Sequence, residues 1–452
     1  MARASNPAVF AGPAPCISFD TLDQSVYHLE DMMTRDPFLA SRMKAVDSSL
    51  EDVSVEMLAY PRKLFYFRHL LSNAAEHQLS FHVIKKTSPG FLEALVLARD
   101  YECTDPRDHI FALWNVAQDR SGLQYTPTYS KPYTDVYTDF CRAWIRQHGA
   151  LDMLGAVEMT TSNMHFYEHA PSWCPNWNVS ATASCLVRKD YIPTRLMMAL
   201  GDQDGNMYSA DGNMNSSLFD GSLISFEGNA LHCCGIIIDE VTYLFDEPPP
   251  RPESNTEGIP RCGPDFNWQF ICFTKTIRKN HEELKVTAYE DPMRAAWAML
   301  HGDSIAAWPP LAESGYEADV SDPYEQYKCL PHLSRHVPRY GTSYDQGEAW
   351  SAVQNAMRGR RPIITRNGYM GLVPAYISEL EKEDKNLLQL AVIAGCSVPL
   401  LLHERKDETY QLVGTCFVQG WMDGEWMETM MGADSPKEFW EGIRDGAQLV
   451  IT

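Results

Sequence analysis

The run between Cys103 and Trp177 constrains this chain most, because it specifies two helices in succession and then forbids a third. In Cys103-Thr104-Asp105-Pro106-Arg107-Asp108-His109, Asp105 is placed to cap a helix, and Pro106 suits a first helical position. Asp108 brings a negative charge close to the helix N-terminus. Ile110, Phe111, Leu113, Trp114 and Ala117 then supply an apolar side for burial, and Arg107 is placed to pair with a carboxylate or carbonyl elsewhere. The second helix follows at once. Ser130 is its expected cap, Pro132 falls in its first turn and Gly149 ends it. Tyr133, Val136, Tyr137, Phe140, Cys141, Trp144, Ile145 and His148 recur at helical spacing, a stripe that predicts core packing. The block Pro171-Ser172-Trp173-Cys174-Pro175-Asn176-Trp177 is extended, since each proline biases its predecessor away from helix. Its two tryptophans either clamp a loop onto a core or line a pocket for a small molecule.

At 452 residues the chain can hold two or three domains, and 44% hydrophobic with 22% charged residues is ordinary for a globular protein. A net charge of −22 argues against nucleic-acid and anionic-membrane partners, which would be repelled. No apolar run reaches the roughly 18 residues that a spanning helix needs. Twelve cysteines occur without a C-x-x-C pair, which removes the zinc-ribbon and thioredoxin readings and predicts buried free thiols in a reducing, cytoplasmic setting.

In chain order, residues 1–19 read as a disordered leader, 20–150 as a helical region and 151–245 as a mixed region with strands. Residues 246–262 form an acidic, proline-rich linker and 263–358 a helical insertion. Residues 359–452 are strand-rich. Helical stripes are expected over 22–33 and 61–72, with a further helix from Ser88-Pro89 that turns Phe91, Leu92, Leu95 and Ala98 inward. Strands are expected over 223–226, 236–245, 363–364, 369–373, 387–394, 398–403 and 410–418, short apolar runs separated by glycine, proline and charge. The fold class is therefore α+β: a helical N-terminal region, then a small antiparallel sheet or barrel interrupted by a helical insertion.

No phosphate-cradling glycine loop, nucleophile elbow or H-E-x-x-H helix occurs, so neither cofactor nor metal is expected. Cys396 with His403 invites a nucleophile reading, but a small buried cysteine in a hairpin accounts for it as well. Asp211-Gly212-Asn213 suits a turn better than a calcium loop. No catalytic residue is identified.

The run TDPRDHIFALWNVAQD, then YTPTYSKPYTDVYTDFCRAWI, LDMLG and APSWCPNW, resembles the fungal heterokaryon-incompatibility (HET) domain family, at the C-terminal end of that domain. The tail, with RRPIITRNGYMGLVPA, LAVIAGCSVPLLLHE and YQLVGTCFVQGWMDGE, resembles the family's strand-rich C-terminal region. The family's ALSYVWG-like and WIDAICINQ-like blocks are not found in residues 1–100. The resemblance implies non-self recognition and programmed cell death in fungi, exerted through a protein partner, possessed here by a truncated or regulatory member. It marks Asp105, Pro106, Arg107, Asp108, Tyr129, Trp173 and Trp177 as family-motif residues of structural role. Two alternatives stand beside it: a component of secondary metabolism encoded in a biosynthetic gene cluster, and an NAD-cleaving effector if an upstream segment is missing.

Overall fold

The computed structural model describes Ala8–Val9, Ile17–Ser18, nearly all of 90–183, 208–212, 223–245, most of 276–300, 356–377 and nearly all of 388–452, with Leu186 and Phe273 besides. These residues fall into two compact units, one holding those up to Gly122 and the other those from Leu123 onward. The helices expected over 22–33 and 61–72, the linker at 246–262 and most of the expected insertion lie outside the described residues.

In the first unit, β1 (Ala8–Val9) pairs antiparallel with β2 (Ile17–Ser18), within the stretch read as a leader. Helix α1 (Phe91–Ala98) buries Phe91, Leu92 and Leu95 as its stripe predicts, while Ala98 is only half-buried and Arg99 is buried instead. Gly90 has no side chain to cap this helix. The Asp119 carboxylate does so from beyond the next turn, accepting from the Phe91 N–H at 2.7 Å. Helix α2 (Asp108–Phe111) is a single turn, shorter than its apolar pattern suggested.

The second unit opens with α3 (Tyr133–His148), in which Val136, Tyr137, Phe140, Cys141, Trp144 and Ile145 are buried. Gly149 ends it at φ 61°, a conformation that glycine adopts without strain, and donates its N–H to the Ile145 carbonyl. Its start corrects the sequence expectation. Extended Pro132 occupies the cap position and no side chain caps the helix; the Ser130 hydroxyl, two residues too early, pairs with Thr128 at 2.8 Å. Two 3-10 turns (Asp152–Ala156 and Thr161–Asn163) and the one-turn helix α4 (Met164–Tyr167) follow.

The remaining elements are β3 (Ile224–Glu227), β4 (Ala230–Leu244), α5 (Pro292–Leu300), β5 (Arg360–Thr365), β6 (Met370–Pro374), β7 (Leu388–Ile393), β8 (Leu400–Glu404), β9 (Tyr410–Thr415), β10 (Phe417–Val418), α6 (Glu425–Met431), α7 (Pro436–Ile443) and β11 (Gln448–Ile451). Strand β4 organises them. Residues 231–234 pair with β11, residues 235–240 with β7, and residues 241–244 with β5. Register shifts at Ile237/Asp239 and Val241/Tyr243 mark where the strand bends between partners. Following the pairings β4–β7–β8–β9–β11–β4 returns to the start, so these five strands close a barrel. The far half of β4 continues into a second sheet with β5, β6 and β10.

Closure puts both faces of the barrel strands in apolar surroundings, which is why most of β7 is buried without alternation. Strand β6 of the second sheet is buried throughout as well. Ile363, Val373, Leu390, Leu401, Val413 and Trp421 share one core. A second core sets Cys234 and Val392 against Met427 and Trp440 of the C-terminal helices. Adjacent Cys233 and Cys234 of β4, which strand alternation sends to opposite faces, are both fully buried. The strands anticipated in the tail are all present. Strand β4 begins six residues earlier than expected, and α6, α7 and β11 were not anticipated.

At Gly359 the chain takes φ 65°, and a Cβ there would stand 2.6 Å from the Thr182 carbonyl carbon and oxygen and 2.7 Å from the Ala183 nitrogen. Backbone cannot retreat as a side chain can. Gly359→Ala is therefore expected to cost about 1–3 kcal/mol, read as a lowered denaturation midpoint; an unchanged midpoint would contradict this packing.

Candidate functional site

The first motif folds upon itself. Both carboxylate oxygens of Asp105 are engaged by Arg107: Oδ1 accepts from its backbone N–H (3.0 Å) and its Nε (2.9 Å), and Oδ2 from its Nη2 (2.7 Å). The Asp105 carbonyl accepts from the Asp108 N–H and from the Cys103 thiol. Asp105 thus holds the turn that leads into α2, although the helix proper starts two residues later than a cap at Asp105 requires. Arg107 pairs with this carboxylate two residues back. Its hydrogen bond holds the Asp105 carboxyl below the usual range. Pro106 lies within this turn, its carbonyl accepting from the His109 N–H. Burial pushes the His109 imidazole down, with the nearby Arg99 charge acting in the same direction.

The other family-motif residues lie in the second unit. Tyr129 stands 58% exposed on the loop before α3, whereas Trp173 and Trp177 are fully buried. The Trp173 indole N–H donates to the Asn229 carbonyl (2.7 Å) at the tip of the β3–β4 hairpin, and Arg142 of α3 donates to the neighbouring Gly228 carbonyl (2.8 Å). The Arg142 and Arg146 guanidinium groups lie over the Phe226 ring at 5.5 and 5.3 Å, a cation–π arrangement that fastens α3 to the hairpin. Cys174 and Cys141 bring their sulfurs to 4.0 Å, both as free thiols, and burial pushes Cys141 well up. The Pro171–Trp177 block is therefore packed between a helix and a barrel hairpin, and it is not extended as expected: the Cys174 N–H donates to the Pro171 carbonyl and closes a turn through Ser172 and Trp173.

Ser172 has the most consequential position. Strands β9 and β11 are parallel neighbours, with the Thr452 N–H donating to the Tyr410 carbonyl at 3.0 Å. In a regular parallel ladder the next rung would run from the Leu412 N–H to the Thr452 carbonyl. Here the Ser172 hydroxyl stands between the two, accepting from Leu412 N–H (3.0 Å) and donating to the Thr452 carbonyl, which also accepts from the Ser172 N–H (3.2 Å). The barrel seam is closed through a loop residue.

Neighbouring segments brace the same body. The Met159 N–H donates to the Val413 carbonyl, while the buried Glu158 carboxylate accepts from the backbone N–H groups of Thr182 (3.0 Å) and Ala183 (2.9 Å). The β7–β8 turn is held by Asp152, which accepts from Ser397 N–H, and by buried Asp211, which accepts from Gly395 N–H. Within that turn Cys396 is fully buried, donates to the Val398 carbonyl at 3.4 Å and has its thiol pushed well up by burial. This environment opposes thiolate formation and so the nucleophile reading. Asp211 and Gly212 serve turn chemistry, as expected.

Sequence reasoning missed Ser172, Glu158 and Asp152, whose roles depend on strands that are distant in the chain. It also missed α7, for which a signal existed: Ser435, Pro436 and Glu438 form a full capping box, with Glu438 accepting from the Ser435 N–H.

Comparison with known proteins bears on this body. Residues 319–435 match the Het-6 beta-barrel domain. The chain is 22% identical over 382 residues to "Heterokaryon incompatibility protein 6, OR allele" of Neurospora crassa, an alignment covering 76% of the chain and 52% of the relative. It thus spans about half the length of the curated relative it matches. No solved structure matches it.

Two outcomes are expected. Ser172→Ala leaves the buried Leu412 N–H without its acceptor and should cost about 1–3 kcal/mol in denaturant titrations; no change would mean that the seam closes without the hydroxyl. For Asp105 the folded carboxyl is held below its unfolded value, so its stabilisation is present above about pH 4 and lost as pH falls through the lower folded value. Asp105→Asn should therefore lower the melting temperature at pH 7, and the gap from the wild type should shrink towards pH 2–3.

Proposed function

We propose that this chain, a fungal heterokaryon-incompatibility family protein carrying a Het-6 barrel, serves in non-self recognition and the cell death that follows, and acts by contact with a protein partner in the cytoplasm. The Het-6 beta-barrel match over residues 319–435, together with the 22% identity to a heterokaryon incompatibility protein across 76% of the chain, supports this reading. The disposition of the motif residues favours contact over turnover. Asp105 and Arg107 hold one another, Trp173 and Trp177 are buried, and Ser172 completes a ladder. Turnover needs a nucleophile or an acid/base pair aimed at a shared point where substrate sits, and these groups are engaged in backbone and packing roles instead. The two free-thiol environments closest to a catalytic description, Cys141 and Cys396, are both buried with their thiols pushed up. No helix among the described residues is long and apolar enough to cross a membrane.

Two measurements test the proposal. Tagged chain expressed in one of two filamentous-fungal strains that fuse should raise the fraction of dye-permeable fused cells, and an unchanged fraction across a panel of partner strains would count against it. Purified chain incubated with NAD, with and without divalent metal, should release no nicotinamide. Turnover that persists through purification and disappears on substitution of a single acidic residue would replace contact by catalysis.

A further inference from the structure

We propose that His165, Glu168 and His169 form a site for a divalent transition-metal ion on the solvent face of α4 and the turn that continues it. The three side chains occupy positions i, i+3 and i+4, which meet on one face of a helical turn. One ligand atom from each lies within 4.8 Å of the other two. His165 Nδ1 is already 2.8 Å from a Glu168 carboxylate oxygen, and the two imidazoles meet edge to face at 5.2 Å between centroids. A tetrahedral ion with bonds of about 2.0–2.1 Å separates its ligands by roughly 3.4 Å, so small side-chain rotations convert this arrangement into a coordination shell.

The turn beneath is held before any ion arrives. The Asn163 side chain accepts from the Thr160 N–H (2.9 Å) and donates to the Glu158 carbonyl (2.7 Å), fixing the entry to α4. Phe166, on the opposite face, is buried with its ring 5.9 Å from Tyr133 and 6.0 Å from Tyr137. Ala170 N–H donates to the Phe166 carbonyl and closes the turn. The ligands thus project from a fixed backbone, and little ordering of the main chain opposes binding. Two imidazoles and one carboxylate suit Zn²⁺, Ni²⁺, Co²⁺ or Cu²⁺ rather than Mg²⁺ or Ca²⁺, which take all-oxygen shells. Three protein ligands leave a fourth position for water or for a group from another molecule. The spacing H-x-x-E-H is the reverse of the H-E-x-x-H pattern and is therefore missed by a search for the latter.

The test is a Co²⁺ titration of the full chain under reducing conditions, followed by visible absorption, with Zn²⁺ competition. The expected result is saturation at one equivalent, with d–d bands and no thiolate-to-metal charge-transfer band, and displacement by Zn²⁺. His165→Gln and His169→Gln should each weaken binding at least about tenfold, and the double variant should abolish saturable binding. All three ligand residues are exposed, with His165 at 79% and Glu168 at 64%, so the metal-free variants should match the wild type in circular dichroism. A charge-transfer band would assign the ion to cysteine. That result, unaltered affinity in the double variant, or the absence of saturable binding would each overturn the proposal.

Discussion

The C-terminal body depends on one hydroxyl group set into a strand ladder. Four of the five barrel contacts are antiparallel and run over several residues, whereas β9 and β11 meet in parallel at a single register pair, Ile451 with Tyr410. A barrel with so short a seam would leave the buried Leu412 N–H without an acceptor, and an unmet buried polar group is costly. Ser172 supplies that acceptor. It can do so because a turn from Pro171 to Cys174, closed by the Cys174 N–H donating to the Pro171 carbonyl at 3.0 Å, presents it, and because the buried Trp173 and Trp177 fix that turn against α3 and the hairpin.

Charged groups perform the same service elsewhere. Glu158 gathers two backbone N–H groups, and Asp152 and Asp211 hold the β7–β8 turn. Asp239 accepts from the Asn367 N–H in the second sheet. Charge-assisted hydrogen bonds to backbone are stronger than neutral ones, and they tie irregular segments to strands that hydrophobic burial alone would leave unregistered. Glu158, Asp152, Asp211 and Ser172 thus tie irregular segments to the strands of the second unit.

Local chemistry was legible and long-range chemistry was not. The α3 stripe, its end at Gly149 and the short apolar runs of the tail each declare their structure over a few residues, and each forms as expected. The start of α3 was misjudged because Ser130 and Pro132 both carry helix-start signals and only one can occupy the cap. Strand β4 starts earlier than its apolar run suggests because its alternation over Ala230–Cys233 is broken by the consecutive burial of Cys233, Cys234 and Gly235. The roles of Ser172 and Glu158 could not be seen, since their partners lie up to 280 residues away in sequence. The likeness to a heterokaryon incompatibility protein was legible for a different reason: ordered blocks such as TDPRDH and PSWCPNW resemble a family pattern whether or not their physical task is understood.

Strands β4, β7, β8, β9 and β11 form one closed body whose shortest contact is completed by Ser172. Native-state hydrogen exchange tests this closure most directly, because amides that open together report one cooperative unit. The account predicts that the amides of Leu412, Leu449 and Ile451 are protected with the same opening free energy as those of β4 and β7. Exchange of the β11 amides as a frayed terminus, well before those of β4, would contradict closure.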